Sequence, residues 1–347
     1  MKVSEFNYDL PNQLIAQTPV EPRDSSRLMV IDIAAERIEH RHFYNLPEYL
    51  KPNDILVINE SRVIPARLFG RREGTQAKIE VLLLHPVTDR SWEALVKPGK
   101  RCPVGAKICF GPDLSASVAE KTESGGRILE FDWQGDFNAV LEQLGETPLP
   151  PYIKAKLEDK ERYQTVYANI KGSAAAPTAG LHFTPSLLNS LQEMGVKIVP
   201  LVLHVGVDTF RPVKVTDVAD HQMHSEYYYL AEEHAAAINK CKQGGGRVIA
   251  VGTTVVRTLE TLGRSGKILP GSGWTDLFIY PGFEFKIIDG LVTNFHLPQS
   301  SLLMLVSAFA GLDLIKRAYQ VAIDHEYRFF SFGDAMLLIN KEQSNDT

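Results

Sequence analysis

Three histidines stand where the chain leaves a predicted strand or approaches a predicted helix: His182, His204 and His296. Imidazole accepts and donates protons near neutral pH more readily than other side chains, so this set could carry out acid–base catalysis. A single histidine is more often a structural residue with satisfied hydrogen bonds. Because all three lie at equivalent strand or loop ends, we predict that they are catalytic.

His182 lies near the end of a loop of small residues, GSAAAPTAGLHFT at 172–184, which predicts neither a core strand nor a stable helix. A helix is predicted directly afterwards, with Thr184 as its N-cap and Gly195 beyond its end. Small residues before a helix N-terminus let a ligand reach the backbone, although the loop alone is equally typical of an ordinary connection. Its candidate ligand contacts are Thr178 and Gly180.

Polar residues also follow three predicted strands, in LVLHVGVDTFRPV at 201–213, RVIAVGTTVVRTLE at 247–260 and LVTNFHLPQS at 291–300. In open α/β sheets, ligands bind at the carboxyl ends of strands, where loops converge. Helix capping is the alternative for the two threonines of the GTT turn, and a surface ion pair is the alternative for Arg257 and Glu260. The substrate contacts predicted from these segments are Thr209, Arg211, Gly252, Thr253, Thr254, Arg257, Glu260 and Asn294.

The segment HQMHSEYYY at 221–229 offers His221, His224 and Glu226 as metal ligands. Their spacing fits none of the established zinc motifs, and the two histidines would face opposite sides of a strand. We therefore predict no metal site. We interpret the three tyrosines as half-buried strand residues that could line a pocket.

Composition narrows the class of protein. The chain has 347 residues, 44% hydrophobic and 23% charged, which is typical of a globular protein of two domains. Three cysteines without paired spacing argue against a disulfide framework. The first residues lack the apolar stretch of a signal peptide, and the longest apolar run, 302–310, is too short to span a bilayer. We expect a cytoplasmic protein that does not bind membranes.

The chain changes character along its length. Residues 62–133 form short β-like runs between turn residues, which predicts a small barrel or sandwich, and the proline-rich stretch TPLPPYIK at 147–154 closes this region. Afterwards strands alternate with helices, as in an α/β domain. The predicted strands are 197–205, 247–251, 276–280 and 291–295, and the predicted helices are 232–242, 254–264, 300–310 and 313–325.

Basic residues cluster in the β-rich region, although the net charge of the chain is −5. Such a cluster is usually a solvated surface; the alternative is a patch that follows the phosphates of a nucleic acid. Charge alone does not decide between them. The candidate contacts are Arg62, Arg67, Arg71, Arg72, Lys97, Lys100 and Arg101.

Longer segments add a resemblance that covers nearly the whole chain. They are PRDSSRLMV at 22–30, INESRVIPARLFG at 58–70, PLPPYIK at 148–154, GSAAAPTAGLHFT at 172–184, LHVGVDTFRPV at 203–213, MHSEYY at 223–228, AVGTTVVRTLE at 250–260, LFIYPGFEF at 277–285, TNFHLPQSSLLMLVSAFAG at 293–311 and YRFFSFGDAM at 327–336. In this order they resemble the S-adenosylmethionine:tRNA ribosyltransferase-isomerase family of queuosine biosynthesis. The departures are small: Asp208 stands where relatives often have Gly, and Ala174 where they often have Val.

The resemblance implies an α/β catalytic domain formed by residues 1–61 and 148–347, interrupted by a small β-barrel domain at 62–147. It implies transfer of the ribosyl portion of S-adenosylmethionine to a 7-aminomethyl-7-deazaguanine base at the wobble position of tRNA. The ribose is isomerised, epoxyqueuosine-tRNA forms, and adenine and methionine leave. The family acts on tRNAs with GUN anticodons. No metal or cofactor is expected, because S-adenosylmethionine is a substrate that supplies both driving force and leaving group; we expect a monomer.

The reaction assigns tasks to the candidate residues. A base must remove a C5′ proton acidified by the sulfonium, and an acid must assist the departure of adenine, so we expect the three histidines to share these transfers. Arg211 or Arg257 could hold the methionine carboxylate, and Glu226 or Glu260 could favour the cationic sulfur. The GTT helix start could bind a carboxylate or ribose hydroxyls. Further candidate substrate contacts are His224 and Tyr280, and the tRNA contacts are the basic residues named above.

Two other classes of protein remain as alternatives. An S-adenosylmethionine-dependent RNA methyltransferase would release S-adenosylhomocysteine, but the chain lacks a glycine-rich turn after its first strand. A non-catalytic RNA-binding or assembly module would not act on S-adenosylmethionine, and it would leave the polar strand ends unexplained. Release of adenine distinguishes all three classes.

Overall fold

The computed structural model describes residues 1–122, 125–206 and 212–340, which divide into two compact units. One unit comprises Met1–Ser61, Pro150–Ile170 and Pro177–Thr347, and the other comprises Arg62–Leu149 and Lys171–Ala176. The sequence-based division places 171–176 in the catalytic domain instead. The difference has a physical reason, because the backbone N–H of Ile64 donates to the carbonyl of Ser173 at 2.9 Å.

Strands and helices are numbered in chain order within the described residues. The strands are β1 Arg27–Asp32, β2 Arg37–His42, β3 Ile55–Asn59, β4 Ser61–Val63, β5 Arg67–Arg72, β6 Lys78–Pro86, β7 Ser91–Lys97, β8 Lys107–Cys109, β9 Leu114–Lys121, β10 Arg127–Trp133, β11 Ile170–Ser173, β12 Lys197–Leu203, β13 Glu226–Leu230, β14 Val248–Val251, β15 Gly271–Thr275, β16 Gly290–Asn294 and β17 Ala335–Ile339. The α-helices are α1 Phe137–Leu144, α2 Pro185–Glu193, α3 Glu232–Gln243, α4 Thr253–Leu262, α5 Ser301–Ala310 and α6 Leu312–Asp324.

The first unit is built on a nine-stranded sheet in the order β15-β13-β12-β3-β14-β16-β17-β1-β2. The central strands β12, β3, β14 and β16 run parallel to one another. Parallel strands are buried on both faces, which explains the continuous apolar sequences of these four. One apolar core joins β3, β14 and β17 to Leu187 and Leu191 of α2. The side chain of Thr184 caps α2 by accepting from the N–H of Leu187, and Gly195 has the positive φ of +91° expected beyond a helix end.

The second unit is a closed six-stranded barrel in the order β10-β7-β6-β5-β8-β9. Alternate residues such as Leu68, Val81 and Leu129 fill its interior. Helix α1 also packs on this core through Val140 and Leu141, and it was not expected from the sequence. The predicted α/β class with an inserted small barrel is confirmed.

The predicted strand at 276–280 is wrong, since the strand ends at Thr275 and the following residues are irregular. Side chains bind the backbone groups that a longer strand would have used. Arg257 donates to the carbonyls of Thr275 and Leu277, both at 3.0 Å, and the N–H of Leu277 donates to the hydroxyl of Thr275 at 3.2 Å. Within the described residues, no helix is long and apolar enough to cross a membrane.

Candidate active site

One edge of the nine-stranded sheet gathers the strand ends singled out by the sequence. The carboxyl ends of β12, β3, β14 and β16 meet there, and the antiparallel β13 begins there. Neighbouring strands are about 4.8 Å apart, so the ends of β12 and β16 are separated by about 14 Å. In order across the sheet, the residues at or directly beyond this edge are Glu226, His204, Asn59, Gly252, Asn294 and Ser26.

His182 ends a short 3-10 helix, Thr178–His182, and both of its ring nitrogens have hydrogen-bond partners. Nε2 accepts from Nδ2 of Asn294 at 3.0 Å, and Nδ1 lies 2.7 Å from the hydroxyl of Ser26. The hydroxyl of Thr178 donates to Oδ1 of Asn294 at 2.9 Å, which orients the amide. His182 therefore carries its proton on Nδ1 and is fixed in one orientation.

The environment of His182 keeps the ring neutral. It is buried and stacks on Phe43, with 5.0 Å between ring centroids. Burial, together with the nearby cations Arg23 and Arg328, lowers the pKa of His182 to about 3. With both nitrogens engaged by protein groups, this side chain is arranged to position Asn294 and Ser26 rather than to exchange protons freely.

His296 follows β16 and is also buried. Its Nε2 lies 2.9 Å from the hydroxyl of Thr293, the one hydrogen bond of this ring among the described residues. Its backbone is held by two tyrosines, since its N–H donates to the hydroxyl of Tyr319 at 2.9 Å and its carbonyl accepts from Tyr8. Burial lowers the pKa of His296 to about 3, so the ring is neutral at pH 7.

His204 directly follows β12 and is half-buried. Its ring stacks on Tyr227 at a centroid distance of 5.9 Å, and its backbone N–H donates to the carbonyl of the same tyrosine at 2.9 Å. Nδ1 of His204 is buried, and no described residue forms a hydrogen bond with it. Burial lowers the pKa of His204 to about 4. The ring is thus held in place while one nitrogen is available to a bound molecule.

Glu226 and Arg257 form a buried ion pair at the start of β13. Oε1 of Glu226 accepts from the backbone N–H of Gly206 at 2.8 Å and lies 3.2 Å from Nε2 of His224. Burial alone would raise the pKa of Glu226, but Arg257, His224 and the Gly206 N–H together lower it to about 2. The carboxylate is therefore charged, and its charge is balanced within the protein.

Arg257 is engaged by acceptors of the protein on every side-chain nitrogen. Besides Glu226, it donates to the carbonyls of Leu277, Thr275 and His224. Among the described residues, Arg257 forms no ion pair with Glu260, which was the alternative interpretation of these two residues. These bonds hold the guanidinium in place, so Arg257, one of the two arginines named as candidates for the methionine carboxylate, directs its donors at groups of the protein.

Glu260 is also turned toward the protein. Its carboxylate accepts the backbone N–H groups of Lys286, Ile287 and Ile288 at 2.9 to 3.1 Å. Burial raises the pKa of Glu260, while the three N–H groups act in the opposite direction. The residue fixes the loop before β16, so its acceptors are not directed at a cationic sulfur.

Gly252, Thr253 and Thr254 form the turn between β14 and α4, and all three are buried. Gly252 has a φ of +91°, which L-residues rarely adopt. A Cβ at this glycine would lie 3.6 Å from Cβ of Ala179, so the turn faces the small-residue loop. These two segments, which are distant in the sequence, are therefore neighbours in the structure.

The remaining predicted substrate contacts differ in what the structure shows of their neighbours. Gly180 is required by its own neighbours, because a Cβ there would lie 2.1 Å from the hydroxyl of Tyr167. Its lack of a side chain therefore makes room for Tyr167, not for a ligand. Tyr280 is half-buried beside Phe278, with 5.1 Å between centroids. Thr209 and Arg211 lie outside the described residues.

The histidines of the segment 221–229 contact other groups of the protein. His221 contacts the edge of Phe278, with 4.9 Å between centroids, while His224 is paired with Glu226. In the part of the chain that the structure describes, no three His, Cys, Asp or Glu side chains are grouped so that they could hold a metal ion.

The basic residues named in the sequence lie in several different places and do not form one cluster. Arg67 and Arg71 alternate with Phe69 on the outer face of β5, and Phe69 is 52% exposed. In register, Lys78 lies opposite Arg71, and Lys97 lies opposite Glu80 on the same face. Lys100 and Arg101 form a turn that Arg127 holds through the carbonyls of Gly99 and Cys102. Arg62 lies in β4 and Arg72 is half-buried near Cys102.

A model of the queuosine biosynthesis protein family matches residues 3–338. The chain belongs to this family. Two relatives named S-adenosylmethionine:tRNA ribosyltransferase-isomerase are similar over 98% of this chain and all of their own length: the Moorella thermoacetica protein, 60% identical over 342 residues, and the Natranaerobius thermophilus protein, 58% identical over 343 residues. The resemblance noted in the sequence is confirmed.

A solved structure is similar to this chain as well. It is a crystal structure of an S-adenosylmethionine tRNA ribosyltransferase from Thermotoga maritima, 43% identical, with a TM-score of 0.57. The match covers 97% of this chain and 100% of the other.

Several residues of the candidate site were not predicted from the sequence. Ser26 and Asn59 lie at its edge, and Tyr8 and Tyr319 support His296. Asn59 bridges β3 to β12, since its Nδ2 donates to the carbonyl of Leu203 at 2.9 Å and its Oδ1 accepts from the N–H of Leu203 at 3.1 Å. Two of these residues lie in segments that resemble the queuosine biosynthesis family, PRDSSRLMV and INESRVIPARLFG, which was the available signal.

Proposed function

We propose that this chain transfers and isomerises the ribosyl portion of S-adenosylmethionine onto 7-aminomethyl-7-deazaguanine at the wobble position of tRNA. The products are epoxyqueuosine-tRNA, adenine and methionine. The observation that carries the proposal is similarity along the full length, at up to 60% identity, to relatives named for this activity. The polar residues at one edge of the sheet form the candidate site for this reaction.

His204 and His296 are the candidates for proton transfer. Each has one ring nitrogen without a hydrogen-bond partner among the described residues. Their pKa values of about 4 and about 3 mean that both rings rest neutral at pH 7, able to accept the C5′ proton. A protonated ring of such low pKa is a strong acid, so it can then pass a proton to the departing adenine.

His182 has a positioning role in this proposal. Its two hydrogen bonds connect the small-residue loop to Asn294 and Ser26, at two other points of the edge. An asparagine fixed in this way presents a defined pattern of donors and acceptors to a ribose. Tyr227, stacked on His204, offers an aromatic face for adenine or the sulfonium, and Tyr280 remains a second candidate.

The outer face of the barrel is the proposed tRNA platform. We define it by Arg67, Phe69, Arg71, Lys78 and Lys97, which share the outward side of β5, β6 and β7. Glu80 pairs with Arg67 at 3.3 Å, so three cations remain for phosphates. An exposed phenylalanine between cations provides a stacking surface for an unpaired base, and unpaired bases are a feature of an anticodon loop.

Further parts of the proposal concern the setting of the reaction. We expect no metal ion or cofactor, because the sulfonium itself is the activated group. The tRNA substrates carry GUN anticodons. The protein works in the cytoplasm as a monomer.

Chromatography of the small products tests the function. The chain is incubated with S-adenosylmethionine and tRNA that carries 7-aminomethyl-7-deazaguanine at the wobble position. Equal amounts of adenine and methionine are expected, and tRNA with guanine at that position should give none. S-adenosylhomocysteine would indicate a methyltransferase instead. Unchanged S-adenosylmethionine would indicate a non-catalytic RNA-binding module.

A further inference from the structure

The N-terminus of α4 has backbone donors that find no partner in the part of the chain that the structure describes. The N–H of Gly252 donates to the carbonyl of Val292 at 2.8 Å, and the N–H of Val255 donates back to the carbonyl of Gly252 at 3.1 Å. Between them, the N–H groups of Thr253 and Thr254 have no acceptor among the described residues. In a buried turn such donors ordinarily find a partner.

The hydroxyl of Thr254 is a second, independent sign of a missing partner. The residue is 7% exposed, and its Oγ1 is buried without a hydrogen bond to any described group. This oxygen lies 3.6 Å from the place where a Cβ of Gly252 would stand, so it is directed at the start of the helix. A helix hydroxyl usually bonds to a carbonyl one turn earlier, as Thr258 does with Thr254 at 3.1 Å.

We propose that the start of α4 binds the carboxylate of the methionine moiety of S-adenosylmethionine, an assignment that rests on the function proposed above. The N–H groups of Thr253 and Thr254 and the hydroxyl of Thr254 supply three donors, and the positive end of the helix dipole favours an anion. The carboxylate is the one anionic group of that substrate. Gly252 and Ala179 keep the approach free of side chains.

Two observations favour this assignment over a tRNA phosphate as the bound anion and over Arg257 as the group that binds the carboxylate. A backbone phosphate of tRNA needs a surface donor, whereas Thr253 and Thr254 are buried. Arg257, the arginine of the same helix, is engaged by Glu226 and three carbonyls. Because the donors at the helix start are uncharged, they bind the carboxylate without repelling the ammonium and sulfonium groups of the substrate, as an arginine at this position would.

The test compares S-adenosylmethionine with its decarboxylated analogue, which keeps the nucleoside and the sulfonium. For each variant, the KM for S-adenosylmethionine is measured from methionine release with saturating tRNA. The inhibition constant of the analogue is measured in the same assay, since the analogue cannot yield methionine. Thr254→Val removes the hydroxyl at nearly constant volume, Thr254→Ser retains it, and Thr258→Val is the same change one turn further along α4.

In Thr254→Val, the KM for S-adenosylmethionine should rise about tenfold, the usual scale of one hydrogen bond to a charged group, while the inhibition constant of the analogue changes less than about twofold. Thr254→Ser and Thr258→Val should change neither constant by more than about threefold. A parallel rise of both constants in Thr254→Val, or a rise of neither, would overturn the carboxylate site. If the unaltered protein releases no methionine, the proposed function itself fails.

Discussion

Nδ2 of Asn294 lies 3.0 Å from Nε2 of His182, although the two residues are 112 positions apart in the sequence. This contact joins the end of β16 to the small-residue loop, and Thr178 and Ser26 extend it on either side. The result is a chain of four hydrogen-bonded side chains along the candidate edge. The order of these hydrogen bonds sets the tautomer of neutral His182, whose proton lies on Nδ1.

Removing the last member of this chain should be costly. Ser26→Ala leaves the Nδ1–H of His182 buried without its acceptor, so we expect unfolding to become easier by about 1–3 kcal/mol. Turnover should also fall, because His182 and Asn294 lose their fixed orientation. Ser25→Ala is the matched control, since among the described residues that hydroxyl donates only to the nearby carbonyl of Pro22. Equal stability and turnover of both variants, measured by denaturant unfolding and adenine release, would argue against the hydrogen-bonded chain.

The buried histidines should make the protein sensitive to acid. Burial lowers the pKa of His296 from 6.5 to about 3, so below pH 6.5 the unfolded state binds a proton that the folded state does not. Stability from this residue is complete above pH 6.5 and falls by about 1.4 kcal/mol per pH unit down to about pH 3. In His296→Gln, unfolding free energy should therefore drop by about 2 kcal/mol less between pH 6.5 and pH 5. Identical pH profiles for variant and parent would contradict the buried neutral state.

The ion pair of Glu226 and Arg257 should show strong coupling. Glu226→Leu leaves the guanidinium buried without its counter-charge, which should cost about 3–5 kcal/mol. The double variant Glu226→Leu with Arg257→Met removes both charges and should be more stable than the sum of the single losses predicts. Unfolding of the four proteins forms a double-mutant cycle. Additive losses would mean that the two side chains act independently.

Substitutions on the outer face of the barrel can separate the contribution of its charges to tRNA binding from the contribution of base stacking. Arg71→Ala, Lys78→Ala and Lys97→Ala together should weaken tRNA binding and flatten its dependence on salt by about 0.7–0.9 logarithmic units for each phosphate that is no longer neutralised. Phe69→Ala should weaken binding without changing that slope, because stacking releases no counterions. Lys100→Ala with Arg101→Ala tests the neighbouring turn as a separate candidate. An unchanged affinity in both outer-face variants would remove this face from consideration.

The sequence allowed the strand ends to be predicted because apolar runs end abruptly in polar residues, as at His204 and Asn294. It also placed the N-cap at Thr184, where local side-chain chemistry decides the structure. Partners brought from distant segments had no local signal. Ser26 reaches His182 across 156 positions, and no spacing rule predicts that.

Burial explains where the side chains of Arg257 and Glu260 are directed. Arg257 and Glu260 have the spacing of an exposed pair one turn apart, and such a pair was the alternative to a role in substrate binding. In the fold both face the interior, so each takes the nearest groups that satisfy its charge: Glu226 for the arginine, and backbone N–H groups for the glutamate. Arg257 also binds the backbone after β15, which ends the strand that we had predicted further along.

The most direct test of the proposed function follows the carbon atoms of the ribose. S-adenosylmethionine labelled with ¹³C in all ribose carbons is incubated with the protein and tRNA that carries 7-aminomethyl-7-deazaguanine. The nucleosides of the recovered tRNA are then examined by mass spectrometry. The proposal predicts that the five labelled carbons appear in the wobble nucleoside while unlabelled adenine is released. Label retained entirely in S-adenosylhomocysteine, or in unreacted substrate, would contradict it.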